Sequence, residues 1–142
     1  MDLEAVATSA ANALSAHLAL PEVEATLLAT GDAQVTQLNA DHRDKAKATN
    51  VLSWPSADRI PGAPLVPDAW GELHLGDVAL AFQTCSREAA DQDKPVADHV
   101  CHLIVHGLLH LLGYDHETDS DAAMMEGLER EILGKLGLPD PY

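Results

Sequence analysis

The spacing of the histidines between residues 99 and 116 constrains this chain more than any other feature of its sequence. Four of them are separated by 3, 4 and 4 positions: His99, His102, His106 and His110. At 100° per residue, this spacing places all four within an arc of about 80° on an α-helix. Gly113 follows, and glycine readily adopts the left-handed conformation that ends a helix. The pattern predicts a helix with one histidine stripe, a turn, and His116 just beyond that turn.

A metal site is the chemistry that this pattern favours. His106 and His110 lie one helical turn apart and can direct ring nitrogens at the same ion, and the turn after Gly113 can bring His116 to it. Three imidazoles that leave one coordination position open are typical of a catalytic zinc. We therefore predict His106, His110 and His116 as the metal ligands, with zinc as the expected ion and other divalent transition metals as alternatives.

The residues beside these three have less specific predictions. We expect His102 to pack beside the ligands or to support them indirectly, and His99 to be a solvated residue at the start of the helix. Asp115 has two open interpretations: it either orients a ligand ring or is an ordinary turn aspartate. We expect the acidic residues after position 117 to cap and solubilise the last helix.

The order of elements along the chain indicates an α+β fold. Its 142 residues, 46% of them hydrophobic, suffice for one domain with a core. The predicted elements are helix 3–18, strand 23–29, a short helix after residue 32, loop 42–49, strand 51–54, irregular chain 55–71, strand 73–82 with a bulge or a tight approach at 75–77, helix 95–112 and helix 118–136. We predict a single domain over residues 1–142, with a small mixed β-sheet flanked by helices and the metal site on a helix of the C-terminal half.

Composition restricts the cellular setting and the partners. A net charge of −15 disfavours diffuse adhesion to polyanions, so any nucleic-acid binding requires a local cationic patch. Two cysteines do not make a disulfide framework, and no apolar run approaches the ~18 residues of a membrane span. The first residues are acidic, where a secretory signal would be basic. We expect a cytoplasmic protein without a membrane partner.

The segment from His106 to His116 shares the skeleton of the metzincin protease motif H-E-x-x-H-x-x-G-x-x-H. The glutamate of that motif is the general base of the protease, and Gly107 occupies its position here. Peptide hydrolysis by that mechanism is therefore disfavoured. A glycine at this position leaves space for a bulkier substrate or for close approach of the backbone. A bound ion would still act as a Lewis acid and lower the pKa of water.

The same segment, HGLLHLLGYDH at 106–116, resembles the hallmark of the YbeY family of bacterial endoribonucleases. Upstream, LN at 38–39, Arg43 and TNVLSWP at 49–55 look like that family's LN, R and TDVLSFP elements, and LGDV at 75–78 looks like its LGDI strand. Met125, Glu126 and Glu129 stand where the last helix of the family has similar residues. The resemblance covers residues 38–137, with Asn50 in place of aspartate and Trp54 in place of phenylalanine.

The resemblance implies a zinc-dependent endoribonuclease, specific for single strands, that acts in maturation of the 16S rRNA 3′ end and in ribosome quality control. It implies a small sheet flanked by helices, with a cleft over the metal. The implied partners are the 16S rRNA precursor and the small ribosomal subunit or its associated proteins, and DNA is not expected. By position, Arg43 corresponds to the arginine that the family places at its active site.

The charge pattern is compatible with an RNA substrate. Residues 43–59 carry a charge of +2 from four cations and two aspartates, and the cations are Arg43, Lys45, Lys47 and Arg59. Such a segment can guide phosphates, although Lys45 and Lys47 are equally compatible with a solvated loop. Arg43 beside a metal could bind a phosphate through two hydrogen bonds and offset charge in the transition state.

Two other functions remain open at this point. One is a non-catalytic ribosome-assembly or RNA-binding factor, in which the metal only ties structural elements together. The other is a metallohydrolase of the metzincin-like type, against which Gly107 argues.

Overall fold

The computed structural model describes the backbone of residues 1–43 and 49–142, and the side chains of residues 1–40 and 49–142. In these ranges the elements, in chain order, are α1 (Leu3–His17), β1 (Glu24–Thr30), α2 (Asp32–Arg43), β2 (Val51–Pro55), β3 (His74–Ala81), α3 (Phe82–Asp91), α4 (Val96–Leu111) and α5 (Asp119–Lys135). None of the helices in the described part of the chain has the length and apolarity needed to cross a membrane.

The three strands form a mixed sheet in the order β1-β3-β2. β1 runs parallel to β3, and β2 runs antiparallel to it. The register between β1 and β3 shifts between Glu24 and Thr26, opposite His74 and Asp77, at the place where the sequence predicts a bulge or a tight approach. Gly76 is required there because a Cβ on it would lie 2.1 Å from the carbonyl oxygen of Trp54.

β3 is the central strand, and apolar side chains cover it on both faces. On one face, Val78 and Leu80 belong to the main core, which includes residues of α1, α4 and α5. On the other face, Ala79 and Ala81 pack with Val35 of α2. α4 contacts α1, α3, α5, β2 and β3, so the histidine helix is the central helix of the domain.

The predicted fold class is confirmed, but one helix was missed. The sequence predicts strand, then unassigned chain, between residues 73 and 94, whereas α3 begins at Phe82, directly after β3. The N-cap residue of α3 is Ala81, which has no capping side chain, so the usual polar signal of a helix start is absent from the local sequence. The cap comes instead from Asp32 of α2, whose Oδ1 accepts a 3.0 Å hydrogen bond from the N–H of Thr84. The predicted loop at 42–49 is also wrong at its beginning, since α2 continues to Arg43.

Arg59 attaches the irregular chain after β2 to the rest of the domain. Its Nη1 donates hydrogen bonds of 2.9 Å to the carbonyl oxygens of both Leu75 and Leu111. Its Nη2 donates to Ser56 Oγ at 2.9 Å. This guanidinium is therefore engaged within the fold, while the phosphate-guiding role of the cations in residues 43–59 stays a prediction.

Candidate metal centre

The turn after α4 positions the last histidine of the stripe. The N–H of Gly113 donates to His110 O at 3.0 Å, and the N–H of Tyr114 donates to Leu109 O at 3.1 Å. These two hydrogen bonds, with φ of +102° at Gly113, define a Schellman motif. A Cβ at position 113 would also lie 2.2 Å from Arg59 O, so only glycine fits. The turn reverses the chain and returns His116 toward the helix.

The structure brings His106, His110 and His116 together. One potential ligand atom from each of the three side chains lies within 4.8 Å of the other two. The Nε2 atoms of His106 and His110 are 3.1 Å apart. The His116 ring centroid lies 5.5 Å from that of His106 and 5.2 Å from that of His110. His106 and His110 are half-buried and His116 is exposed, so the cluster faces solvent on one side.

This geometry fits a divalent transition metal. In a tetrahedral site with Zn–N bonds of 2.0–2.1 Å, neighbouring nitrogens are separated by about 3.3 Å. The 3.1 Å between the two Nε2 atoms is close to that separation. Imidazole nitrogens suit zinc, copper, iron and nickel better than magnesium or calcium. The three side chains could therefore hold such an ion.

A buried carboxylate, Glu129 of α5, supports the cluster from behind. Its side chain is fully buried. Oε1 lies 2.9 Å from His106 Nδ1 and 3.0 Å from His102 Nε2, and Oε2 accepts a 2.6 Å hydrogen bond from the hydroxyl of Tyr142. The prediction that the acidic residues after 117 serve capping and solubility is wrong for Glu129, although Thr118 does cap α5.

The hydrogen bonds to Glu129 determine its charge and the tautomer of His106. Burial by itself would raise the pKa of Glu129, but hydrogen bonds from His102, His106 and Tyr142 outweigh it and lower the pKa to about 2. The ionised carboxylate can only accept hydrogen bonds, so Nδ1 of His106 carries the proton. In a neutral ring, Nε2 is then unprotonated and faces Nε2 of His110 at 3.1 Å, with the lone pair that metal binding requires.

The structure also resolves the predictions for three neighbouring residues. His99 is 4% exposed and its Nε2 lies 2.9 Å from Glu88 Oε1, so the predicted solvated position is wrong. Asp115 Oδ1 accepts a 3.2 Å hydrogen bond from the N–H of Glu117, which is the turn-aspartate alternative. His102 does support the ligands indirectly, because it shares Glu129 with His106.

Gly107 faces the sheet. A Cβ at this position would lie 2.9 Å and 3.3 Å from the two methyl carbons of Val78 on β3, and 3.6 Å from one of Val51 on β2. Of the two predicted uses of the glycine, the structure shows close approach, and the approaching atoms are side chains of the sheet. Position 107 is fully enclosed by packing and provides no room for a substrate or a general base.

The structure does not describe the side chains of three of the remaining candidate residues. The side chain of Arg43, like Lys45 and Lys47, lies outside the described residues. Asn50, which replaces an aspartate of the family pattern, donates from Nδ2 to Glu88 Oε1 at 3.1 Å. Two carboxylates would meet there if the residue were aspartate. Cys101 is buried, and it is not among the three residues whose ligand atoms converge.

The supporting role of Glu129 was not predicted, although the sequence contains a signal for it. The buried residues of α5 follow helical spacing, and they are Met125, Glu129, Ile132 and Leu133. A glutamate in an otherwise apolar stripe needs a buried partner, because an unpaired buried charge is costly. In a chain with a histidine stripe, an imidazole is an obvious candidate for that partner.

Comparisons with known proteins agree with this geometry. A sequence model of the family described as endoribonuclease YbeY matches residues 1–137. The endoribonuclease YbeY of Dinoroseobacter shibae is 54% identical over 150 residues, covering 100% of this chain and 83% of the relative. That of Ruegeria pomeroyi is 55% identical over 148 residues, covering 99% of this chain and 90% of the relative.

A solved structure shows the same fold. A solution structure of a Thermotoga maritima protein superimposes with a TM-score of 0.61 at 17% identity, covering 99% of this chain and 93% of the other. The family match spans the histidine cluster, the turn and Glu129. The chain is therefore a member of the endoribonuclease YbeY family.

Proposed function

We propose that this protein is a metal-dependent endoribonuclease that cleaves single-stranded RNA. The observation that carries the proposal is the convergence of His106, His110 and His116 within 4.8 Å, in a chain that belongs to an endoribonuclease family. Its finer features are zinc as the metal, the 16S rRNA precursor as substrate, action in 3′-end maturation and ribosome quality control, the small subunit or its proteins as partners, and a cytoplasmic location.

His106, His110 and His116 would hold the ion, and the structure suggests what the surrounding residues contribute. When bound, a divalent metal supplies Lewis-acid chemistry toward a phosphate oxygen and toward water. Glu129 keeps Nε2 of His106 available for it. Exposed His116 places the cluster at the surface, where an RNA backbone can reach it. Arg43 is proposed to bind the scissile phosphate through its guanidinium.

Cleavage assays with matched variants test this proposal. Purified protein is incubated with a single-stranded rRNA fragment and with the same fragment annealed to its complement. We expect cleavage of the single strand only, and loss of cleavage in His110→Ala. His17→Ala, which changes a histidine outside the cluster, is the matched control and should cleave at the wild-type rate. Cleavage by His110→Ala at the wild-type rate would contradict the proposal.

Arg43→Ala tests the second part of the mechanism. Removal of a donor to the transition state typically lowers the rate by about 10²–10³. We expect that loss with metal affinity unchanged, whereas Lys135→Ala, which removes an exposed cation from the end of α5, should retain activity. If a stably folded Arg43→Ala variant complements a knockout strain fully, a non-catalytic role in ribosome assembly is favoured instead.

A further inference from the structure

The segment that follows α5, residues 136–142, returns to the metal centre and ends on its support. The hydroxyl of Tyr142 donates a 2.6 Å hydrogen bond to Glu129 Oε2 and lies 3.3 Å from His102 Nε2. Its ring packs edge-on against His102, with 5.4 Å between the centroids. One side chain therefore contacts both residues that lie behind the ligand His106.

Tyr142 is held in this position by contacts of its own. Its N–H donates to Asp140 Oδ1 at 2.9 Å, and Asp140 accepts from Arg130 Nε at 3.1 Å and 3.0 Å. The guanidinium carbon of Arg130 lies 5.3 Å from the centre of the Tyr142 ring. Because Arg130 directly follows Glu129 in α5, the ring and the carboxylate are placed by the same turn of helix.

The hydroxyl completes the hydrogen bonding of the carboxylate. His102 and His106 both donate to Oε1, whereas the hydroxyl of Tyr142 donates to Oε2. Removing that hydroxyl would take this donor away from an oxygen of a fully buried side chain. A carboxylate held at only one oxygen can rotate about its χ3 angle, which is broad in energy. With both oxygens held, the carboxylate plane is restrained, and with it the ring of His106.

We propose that Tyr142 is a positioning residue for the metal centre, which acts through Glu129 to orient the imidazole of His106 toward the ion. This inference rests on the proposed function, since it presumes that the cluster binds a metal. Residues 138–142 lie outside the span that the family model matches, so the family model itself says nothing about this contact. The 136–142 segment thereby helps to orient a metal ligand, in addition to packing against the rest of the domain.

Tyr142→Phe tests the inference, because it removes the hydroxyl and keeps the ring. Zn²⁺ affinity is measured by competition with a chromophoric chelator, and Co²⁺ is added separately to record its d–d absorption bands. Loss of a partner behind a metal ligand costs about 10- to 100-fold in metal affinity. We expect about 10-fold for Tyr142→Phe, because it acts one residue further away, and shifted Co²⁺ bands.

Two further variants separate positioning from general loosening of α5. His17→Ala removes the 2.8 Å contact of His17 with Glu131 on α5, and it should lower the melting temperature without changing Zn²⁺ affinity or the Co²⁺ spectrum. In a Glu129→Gln background, Tyr142→Phe should have little additional effect on affinity, since both act through the same carboxylate.

The outcomes distinguish this inference from the proposed function. If the wild-type chain binds neither metal, the proposed function fails. If it binds both and Tyr142→Phe matches it in affinity and spectrum, only the role of Tyr142 is overturned. Should Tyr142→Phe fail to fold, Arg130→Met, which weakens the placement of the ring and leaves the hydroxyl, is measured in its place. A several-fold weaker affinity supports the inference, and an unchanged one overturns it.

Discussion

Two residues in this domain are explained by their immediate contacts: Gly107 by the space it leaves for a neighbour, and Glu129 by the hydrogen bonds it accepts. Gly107 is a glycine because α4 packs on β3 at that point, with the methyl groups of Val78 where a Cβ would lie. Glu129 is charged although fully buried, because three donors from other parts of the chain converge on it. Each of these residues is explained by a specific neighbour.

Gly107→Ala should destabilise the protein despite the higher helix propensity of alanine. The gain of about 1 kcal/mol from propensity is opposed by overpacking of about 1–3 kcal/mol against Val78, a stiff and buried side chain. The difference between the two is a net loss of up to about 2 kcal/mol, which we expect to see in urea unfolding. Gly127→Ala and Gly134→Ala in α5 are matched controls, because a Cβ there meets no atom within 4 Å, and each should gain up to about 1 kcal/mol.

The double variant Gly107→Ala/Val78→Ala identifies the clash. It removes the opposing methyl groups, so its loss of stability should be smaller than the sum of the two single losses. Additive losses, or a Gly107→Ala variant as stable as the wild type, would show that the contact with Val78 does not select glycine.

Both cysteines should be unreactive in the native protein. Burial, with a smaller contribution from the negative charges of Glu88 and Asp32, raises the pKa of Cys85 to about 12. Burial and Asp98 raise the pKa of Cys101 to about 11. Since the thiolate is the reactive form, Ellman's reagent at pH 8 should modify neither thiol before unfolding and both in guanidinium chloride. Rapid modification of the native protein would contradict this expectation.

At the scale of elements, the metal centre depends on how the helices and the sheet are connected. α4 supplies His106 and His110, the Schellman turn returns His116, and α5 supplies Glu129. Arg59 joins the chain after β2 to both β3 and the end of α4. The carbonyl oxygen of Leu111 is among the last of α4, where a positive charge is also favoured by the helix dipole. The centre is thus assembled from local turns and from long-range hydrogen bonds.

Arg59→Met should show the contribution of this connection. It keeps much of the apolar stem but leaves the carbonyl oxygens of Leu75 and Leu111 without their charged donor, which costs about 1–3 kcal/mol in unfolding free energy. Arg87→Met is the matched control, because Arg87 is 63% exposed and pairs with Asp32 near the surface, so its loss should be below about 1 kcal/mol. Equal losses in the two variants would argue against a special role of Arg59.

At the scale of the whole molecule, the net charge of −15 means that cations can bind in two ways, at the acidic surface or at the histidine cluster. An acidic surface attracts cations in general, whereas the histidine cluster selects transition metals. Carboxylate sites suit Mg²⁺ and imidazole sites suit Zn²⁺. The two modes of binding can therefore be separated by the choice of ion.

Zn²⁺ should stabilise the domain through the cluster alone. At a free concentration of 100 times its Kd, a ligand adds about 2.7 kcal/mol, which for a domain of this size corresponds to a rise of about 5–15 °C in Tm. His116→Ala should lose most of that rise, and Mg²⁺ at the same concentration should produce little of it in either protein. A full Zn²⁺ response in His116→Ala would place the binding outside the cluster.

The sequence by itself determined the helix with its histidine stripe, the turn at Gly113 and the mixed α+β fold, because periodicity and glycine conformation are local properties. It did not determine α3, whose N-cap residue is an alanine and whose first turn is capped by Asp32 of another helix, or the burial of His99 against Glu88. Only the tertiary structure decided that Glu129 and Tyr142 lie behind His106 and that Gly107 faces Val78. These contacts join residues from different elements, and their formation depends on how those elements pack rather than on any pattern within one of them.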